Sequence, residues 1–349
     1  MIILGIETSC DETAAAVIKV IDGNKKVELL SNVIASSLSL HAQTGGIIPE
    51  VAAREQVKFI IPVIEEAMKV FRNPQEEIDA IAVTVGPGLI GSLLVGVETA
   101  RTFAYVWHKP LIPVNHLFGH IYANFISEIH NSKFIIHNSA MPEFPVVALV
   151  VSGGHTDLVL MKNHRDIKWL GGTRDDAAGE AFDKTGRLLN LPYPAGPQIE
   201  QLAKAVEKDI YHFPRPLIDS DDYDFSFSGL KTAVLRETQK DEPLNSERIS
   251  NICFSLQEAV FDILLKKTFQ AANQFNAKSI LLGGGVASNQ TLRKKFESEV
   301  RSQKLEVNLF VPDKKLCTDN AAMIAAAAFF NNEATAWKKV SANPELYFD

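Results

Sequence analysis

His116 and His120, within Asn115-His116-Leu117-Phe118-Gly119-His120, stand four residues apart. On a helix that spacing puts both imidazoles on one face, where they can reach a single metal ion. The zinc-protease version of the pattern, H-E-x-x-H, sets a glutamate between the ligands as general base. Here the intervening residues are Leu117, Phe118 and Gly119, so that base is missing. The pair points to a metal site without peptide hydrolysis by that route. The same spacing also arises by chance, and the pattern alone leaves both readings open.

The elements around this pair read as alternating strands and helices, the mark of α/β layers. Leu111-Ile112-Pro113-Val114 is a short strand feeding the histidine helix. Residues 2–17 read as strand, polar turn and strand, with Glu7-Thr8-Ser9-Cys10-Asp11-Glu12-Thr13 as the turn. Residues 146–161 repeat the plan around Ser152-Gly153-Gly154-His155-Thr156-Asp157. Turns of small and hydroxyl residues can aim backbone N–H groups at a phosphate. Two such hairpins, each opening one half of the chain, predict a duplicated α/β lobe.

A third glycine turn, Gly283-Gly284-Gly285-Val286-Ala287-Ser288-Asn289, joins the strand Ser279-Ile280-Leu281-Leu282 to a helix over 290–300. Strand, glycine turn and helix N-terminus form a natural nucleotide site. It matches neither G-x-G-x-x-G nor G-x-x-x-x-G-K-[ST], which argues against a Rossmann site and a P-loop. Residues 80–85 predict a strand running into Gly86-Pro87-Gly88 and a helix through Tyr105. Residues 51–71 and 247–276 predict long helices, the first despite Pro62. Residues 127–145 predict a surface connection, with His130 and His137 as solvated loop residues.

The 349 residues suggest two domains, and 46% hydrophobic with 22% charged residues is an ordinary globular composition. Cys10, Cys253 and Cys317 show no C-x-x-C spacing, so neither a disulfide nor a zinc framework is expected and a reducing compartment is. No basic, apolar leader opens the chain, and no run reaches the roughly 20 apolar residues of a membrane span. The expectation is a cytoplasmic protein with no membrane partner. A net charge of −7 argues against general coating of nucleic acid, while leaving room for a local basic groove.

Eight motifs, in order along nearly the whole chain, resemble those of the bacterial TsaD (YgjD) family. They begin with residues 3–13, Gly45-Gly46-Ile47-Ile48-Pro49-Glu50-Val51-Ala52-Ala53-Arg54 and Gly86-Pro87-Gly88-Leu89. The histidine helix and Val151-Ser152-Gly153-Gly154-His155-Thr156 follow. Residues 175–184, Phe225-Ser226-Phe227-Ser228-Gly229-Leu230-Lys231-Thr232 and the turn at 283–289 complete the set. The family comprises tRNA threonylcarbamoyladenosine transferases once labelled O-sialoglycoprotein endopeptidases.

The resemblance implies two ribonuclease-H-like lobes of the actin-like, sugar-kinase and heat-shock ATPase superfamily. The expected division is 1–112 plus 322–349 for the N-terminal lobe, and 113–321 for a C-terminal lobe carrying the metal and most nucleotide-site residues. The implied reaction moves a threonylcarbamoyl group from threonylcarbamoyl-adenylate to N6 of adenosine 37, in tRNAs reading codons that begin with A. His116, His120 and Asp319 would hold one divalent metal. That donor set suits Fe(II), with zinc as the alternative. Asp319 otherwise reads as a cap for the alanine-rich helix that follows it. Val150, Val151, Ser152, Gly153, Gly154, Asp183, Gly196, Glu200 and Asn289 would bind threonylcarbamoyl-adenylate or ATP. Within that set, amides at 152–154 are candidates for the phosphate, Asp183 for ribose, and Asn289 for the adenine edge or a helix cap. Gly284 and Gly285 would let adenine lie against backbone. Asp11 and Glu12 are the catalytic candidates, to orient the attacking amine or take its proton.

Two positions depart from the family pattern. Pro194-Ala195-Gly196-Pro197 replaces Pro-Gly-Gly-Pro, which stiffens the turn, and Glu200 replaces an aspartate. Implied partners are tRNA, a TsaB-like paralogue and a TsaE-like ATPase. The outer face of the 51–71 helix is a candidate partner surface, with core packing as the alternative. Arg54, Lys58, Arg72, Lys184, Arg187 and Lys231 are candidate tRNA contacts. Three rival readings predict other features. A metallopeptidase lacks its glutamate here. A small-molecule kinase would need a catalytic aspartate, for which Asp157 is the candidate. A non-catalytic scaffold leaves the ligand set unexplained.

Overall fold

The computed structural model describes residues 1–21, 26–127, 141–240, 244–302, 306–331 and 333–348; His130 and His137 lie outside them. The chain forms two compact units, Met1–Lys133 with Pro312–Asp349, and Phe134–Val311. In the first, β1 (Ile2–Glu7), β2 (Glu12–Ile21) and β3 (Lys26–Ser36) are followed by α1 (Leu38–Thr44), α2 (Pro49–Met68) and α3 (Pro74–Glu77). Then come β4 (Ala80–Gly86), α4 (Ile90–Trp107), β5 (Leu111–Asn115), α5 (His116–Tyr122) and β6 (Ile126–Ser127).

The second unit holds β7 (Val146–Val151), β8 (Thr156–Asn163), β9 (Asp166–Gly172), α6 (Ala178–Leu188), α7 (Ala195–Ala203) and α8 (Ser228–Thr238). It continues with α9 (Ser246–Gln274), β10 (Ser279–Gly283), α10 (Gln290–Ser302) and β11 (Asn308–Phe310). The chain returns to the first unit with α11 (Lys314–Cys317) and α12 (Ala321–Asn331).

The two sheets share one plan. Their strand orders are β5-β4-β1-β2-β3-β6 and β11-β10-β7-β8-β9. In each, the opening strand lies parallel to one neighbour and antiparallel to its hairpin partner, with Gly5 between Ala82 and Ala16, and Val150 between Gly283 and Asp157. The expected duplication is therefore present. β1, β4, β7 and β10 are near-continuous apolar runs because both of their faces are covered.

The unit boundaries differ from the expected ones, and the difference moves the histidines. α5 packs on α12 and joins the first sheet rather than opening the second unit. All three candidate metal ligands, His116, His120 and Asp319, belong to the first unit. The reason is α12, whose residues Ala321–Ala328 are all buried. A helix apolar on every side must be enclosed, and α12 lies against α5, β1 and β2. The predicted long helices form, with shifted ends. α2 starts earlier than expected because Pro49 suits a first helical turn, and it runs through Pro62. Among the described residues, no helix is long and apolar enough to cross a membrane.

Candidate metal centre and nucleotide turns

α5 begins where β5 ends. The Asn115 side chain accepts the Leu117 N–H at 2.8 Å and donates to the Tyr347 carbonyl at 2.5 Å, which fixes the first turn of the histidine helix. His116 and His120 are both buried, at 6% and 1% exposure. Asp319 arrives from the segment before α12, with Oδ1 3.5 Å from His116 Nε2 and 3.4 Å from His120 Nε2. Helix capping falls to its neighbour, because Asn320 Oδ1 takes the Met323 N–H at 3.1 Å. Asp319 is thereby left to the histidines. One ligand atom from each of the three residues lies within 4.8 Å of the others, so the group can hold a metal ion.

The second carboxylate at this site was not anticipated. Glu7, fully buried at the end of β1, places Oε2 3.1 Å from His116 Nδ1. Its oxygens also accept the Thr84 hydroxyl and the Ser9 N–H, each at 2.5 Å. A carboxylate there holds the proton on Nδ1, so Nε2, on the Asp319 side, is the nitrogen that a metal ion would take by displacing its proton. Burial disfavours a charged His116 ring, yet Glu7 and Asp319 outweigh it and carry its pKa up to about 9. Both ring nitrogens of buried His120 lack a hydrogen-bond partner in the structure. Orphaned buried nitrogens of that kind call for a partner. A bound cation facing His120 Nε2, His116 Nε2 and Asp319 would satisfy the nitrogen on the Asp319 side, so the residues present fit the metal the donor set suggests. The only sequence signal for Glu7 is a carboxylate closing an otherwise apolar strand.

Asp11 and Glu12 are not the exposed turn carboxylates that their position alone suggests: Asp11 is 8% exposed and Glu12 half-buried. Burial, then repulsion from Asp319 and Asp11, then a hydrogen bond with Asp11 push Glu12 up to about 10. Burial and the same carboxylates push the Cys10 thiol far above its ordinary range, so it is no thiolate nucleophile. The charges that raise these two groups are those of neighbouring carboxylates, a surplus that favours a cation nearby.

In the second unit the expected nucleotide residues gather around helix starts. Ser152 spends its N–H on the His155 carbonyl at 2.8 Å, while exposed Gly153 and Gly154 have open space where a side chain would stand. Val150 and Val151 are fully buried strand residues, so only their backbone could serve a ligand. Asp183 is not a solvated carboxylate. Its Oδ1 accepts the Ala195 N–H at 2.7 Å at the start of α7, and burial raises its pKa. Ala195 fits because Gly186 faces it: a Cβ on Gly186 would lie 2.2 Å from the Ala195 Cβ. Gly196, one residue on, faces open space.

Glu200 reaches the Gln290 N–H at 3.0 Å, and Asn289 Oδ1 accepts the Thr291 and Leu292 N–H groups at 2.9 and 3.1 Å. Both therefore cap α10, and Asn289 also donates to Gln257 at 3.2 Å. Gly284 has a reason within the chain to be glycine. At φ 91°, with a Cβ position 2.4 Å from the Val151 carbonyl, it is glycine for the sake of the chain itself. Gly285 keeps open space beside it. Asp157, the kinase candidate, is 1% exposed and accepts the Trp169 indole N–H at 3.1 Å, as a strand residue would.

The candidate tRNA cations divide between the units, and Arg54, Lys58 and Lys184 have carboxylate partners. Arg54 pairs with Glu50 at 2.6 Å and Lys58 with Glu55 at 2.5 Å; Lys184 pairs with Asp176 at 2.5 Å and Glu180 at 2.9 Å. Arg72, Arg187 and Lys231 are exposed.

The duplicated mixed sheet is the ribonuclease-H-like plan of the actin-like superfamily. In agreement, the crystal structure of T. kodakarensis HypF superposes with a TM-score of 0.60 at 16% identity, over 94% of this chain and 47% of that one. The model of the family described as TsaD, tRNA N6-adenosine threonylcarbamoyltransferase, matches residues 28–326. The relative of that name from Symbiobacterium thermophilum is 48% identical over 94% of this chain and 91% of its own. Those from Bacillus cereus and Listeria welshimeri are 47% and 46% identical, covering 99% and 100% of this chain and 96% and 97% of theirs. The chain belongs to the TsaD family and is a tRNA-modifying transferase.

Proposed function

We propose that the chain transfers the threonylcarbamoyl group from threonylcarbamoyl-adenylate to N6 of adenosine 37, in tRNAs reading codons that begin with A. The observation that carries this reading is the group of buried His116 and His120 with half-buried Asp319, backed by Glu7, in a chain of this family. His116 Nε2, His120 and Asp319 would hold the metal, with Fe(II) the expected ion and zinc the alternative. Such an ion supplies Lewis acidity toward the carbamoyl carbonyl and a seat for the threonyl carboxylate or hydroxyl.

In the transfer, the N6–carbon bond forms, the carbon–oxygen bond to phosphate breaks, AMP leaves with the electron pair, and N6 loses a proton. Adenine N6 is a weak nucleophile, so orientation and charge stabilisation must supply most of the rate. The Gly153 and Gly154 amides would hold the phosphate, and Gly196 and Gly285 would let the nucleotide approach the backbone. The Asp183 and Glu200 oxygens not engaged at helix starts would take the ribose hydroxyls. Asp11 would receive the N6 proton, and Glu12, its neighbour, would orient the amine.

A TsaB-like paralogue and a TsaE-like ATPase are the proposed protein partners, in the cytoplasm. Exposed Val57 and Ile61 on α2 with Ile90 and Leu94 on α4 support an apolar docking face for the paralogue. The test is nucleoside mass analysis of unmodified tRNA incubated with the chain, threonylcarbamoyl-adenylate and these partners. Threonylcarbamoyladenosine should form with the native chain and vanish with His116→Ala. No product from a folded, metal-loaded chain with competent partners overturns the reading.

A further inference from the structure

The turn from β1 into β2 carries Asp11 and leads into Glu12, the first residue of β2, and three carbonyls of the 8–12 segment converge on one side chain. Gln56, 1% exposed on α2, places Nε2 3.0 Å from both the Cys10 and Glu12 carbonyls and 3.5 Å from that of Thr8. An amide nitrogen has two protons, so the two shorter contacts are the principal bonds. Gln56 is the polar exception on its helix face, whose other buried residues are Ala52, Ile60, Val63, Ile64 and Ala67. A buried amide is costly unless it is hydrogen-bonded, so an apolar residue would serve better if packing were the only demand.

The rest of the loop is held in the same manner. Ser92 of α4 donates to the Cys10 carbonyl at 3.0 Å. The Leu89 N–H reaches the Ser9 carbonyl at 2.8 Å, and Ser37 gives the Asp11 carbonyl both its N–H at 3.1 Å and its hydroxyl at 2.9 Å. Every carbonyl from Ser9 to Glu12 is thus engaged by a donor from another segment. The backbone that bears the two carboxylates is pinned from outside.

We propose that Gln56 is a positioning residue for the transfer reaction, fixing the 8–12 backbone and through it the placement of Asp11 and Glu12. This rests on the function proposed above. Among the described residues, the hydrogen bonds of Gln56 go to the 8–12 backbone and to none of the three candidate metal ligands. Its loss should therefore lower kcat while sparing adenylate KM and metal affinity.

The experiment compares the native chain with Gln56→Leu, each with its partner proteins, in steady-state transfer assays. Co(II) affinity, thermal melting and amide hydrogen exchange of the peptide covering 8–14 are measured alongside. The expected result is a kcat at least about tenfold lower, since small misplacements near reacting atoms cost that much. KM and Co(II) affinity should stay within about twofold, the pattern of a loss felt only in the transition state. Exchange should accelerate at 8–14 and be unchanged elsewhere. Unchanged exchange at 8–14, or a kcat loss matched by lost Co(II) affinity or melting temperature, overturns the proposal and leaves the transferase reading standing. A native chain without transfer activity overturns that reading and the catalytic part of this one, while the exchange data still decide whether Gln56 holds the loop. Should Gln56→Leu not fold, Ser92→Ala removes a bond to the same Cys10 carbonyl. It should show the same changes at smaller size, and no change in kcat or exchange there overturns the proposal.

Discussion

Gly5 of β1 lies directly beneath the Ala321 carbonyl, so that a Cβ at position 5 would come within 2.3 Å of that oxygen. The start of α12 is therefore seated on the strand backbone, two residues after Asp319. A methyl group at position 5 cannot be accommodated by a side-chain rotation, because the obstacle is main chain. Gly5→Ala should destabilise the first unit by about 1–3 kcal/mol, as overpacking does. It should also weaken Co(II) or Zn(II) binding by displacing Asp319. Chelator competition and denaturant unfolding test both, and unaltered metal affinity would show that Asp319 is placed by something other than this contact.

Glu7 acts on the metal site through His116. Glu7→Gln keeps the shape of the side chain but removes the charge that holds the proton on Nδ1. Loss of such an outer partner lowers metal affinity by about 10–100-fold. The fold should persist, since the amide oxygen can still accept the Ser9 N–H while the NH2 group donates to the Thr84 hydroxyl. Equal affinity in native chain and variant, at equal secondary structure by circular dichroism, would remove Glu7 from the metal site.

Asn289 has a structural duty that can be measured apart from nucleotide binding. Its side chain caps α10, and loss of such a cap costs about 1 kcal/mol, with 2 as the upper end. Asn289→Ala should therefore lower the unfolding free energy without any nucleotide present. A variant as stable as the native chain would mean that the two capping bonds contribute nothing.

Asp175 accepts the hydroxyls of Ser226 and Ser228 at 2.6 and 2.8 Å and the N–H groups of Phe227 and Ser228 at 2.8 and 3.1 Å. Burial works against its charge, but these four bonds prevail and hold its pKa below the ordinary carboxylate value. A depressed folded pKa means stability that is present above about pH 4 and lost as pH falls through the folded value. Asp175→Asn should accordingly be less stable than the native chain at pH 7, with the gap closing below about pH 4. A gap independent of pH would show that the carboxylate charge is not what holds the 226–228 segment.

The legible parts of the chain are those whose causes are local. The histidine spacing, the two hairpins and the glycine turn at 283–289 are written in neighbouring residues, and all are found where expected. Glu7 and Gln56 escaped because their partners lie 109 and 46 residues away. Nothing beside Glu7 in sequence announces His116. The unit boundaries moved for the same reason, since the burial of α12 against α5 is a long-range fact. Asp183, Glu200 and Asn289 show a different difficulty. A carboxylate or amide near a helix start can bind a ligand or cap the helix, and side-chain type does not separate the two. Here each is engaged at a helix N-terminus, which narrows what remains for the nucleotide to the oxygens left over.

The interruption of the first unit by the second has a consequence for biosynthesis. His116 and His120 precede Phe134–Val311 in the chain, and Asp319 follows it. A ribosome must complete the whole inserted unit before the third ligand is made. Until then the nascent protein presents two imidazoles and no matching carboxylate from α12's leading segment. Assembly of the candidate metal site thus waits for residues made after the insertion, and a truncated product ending inside the insertion cannot assemble it.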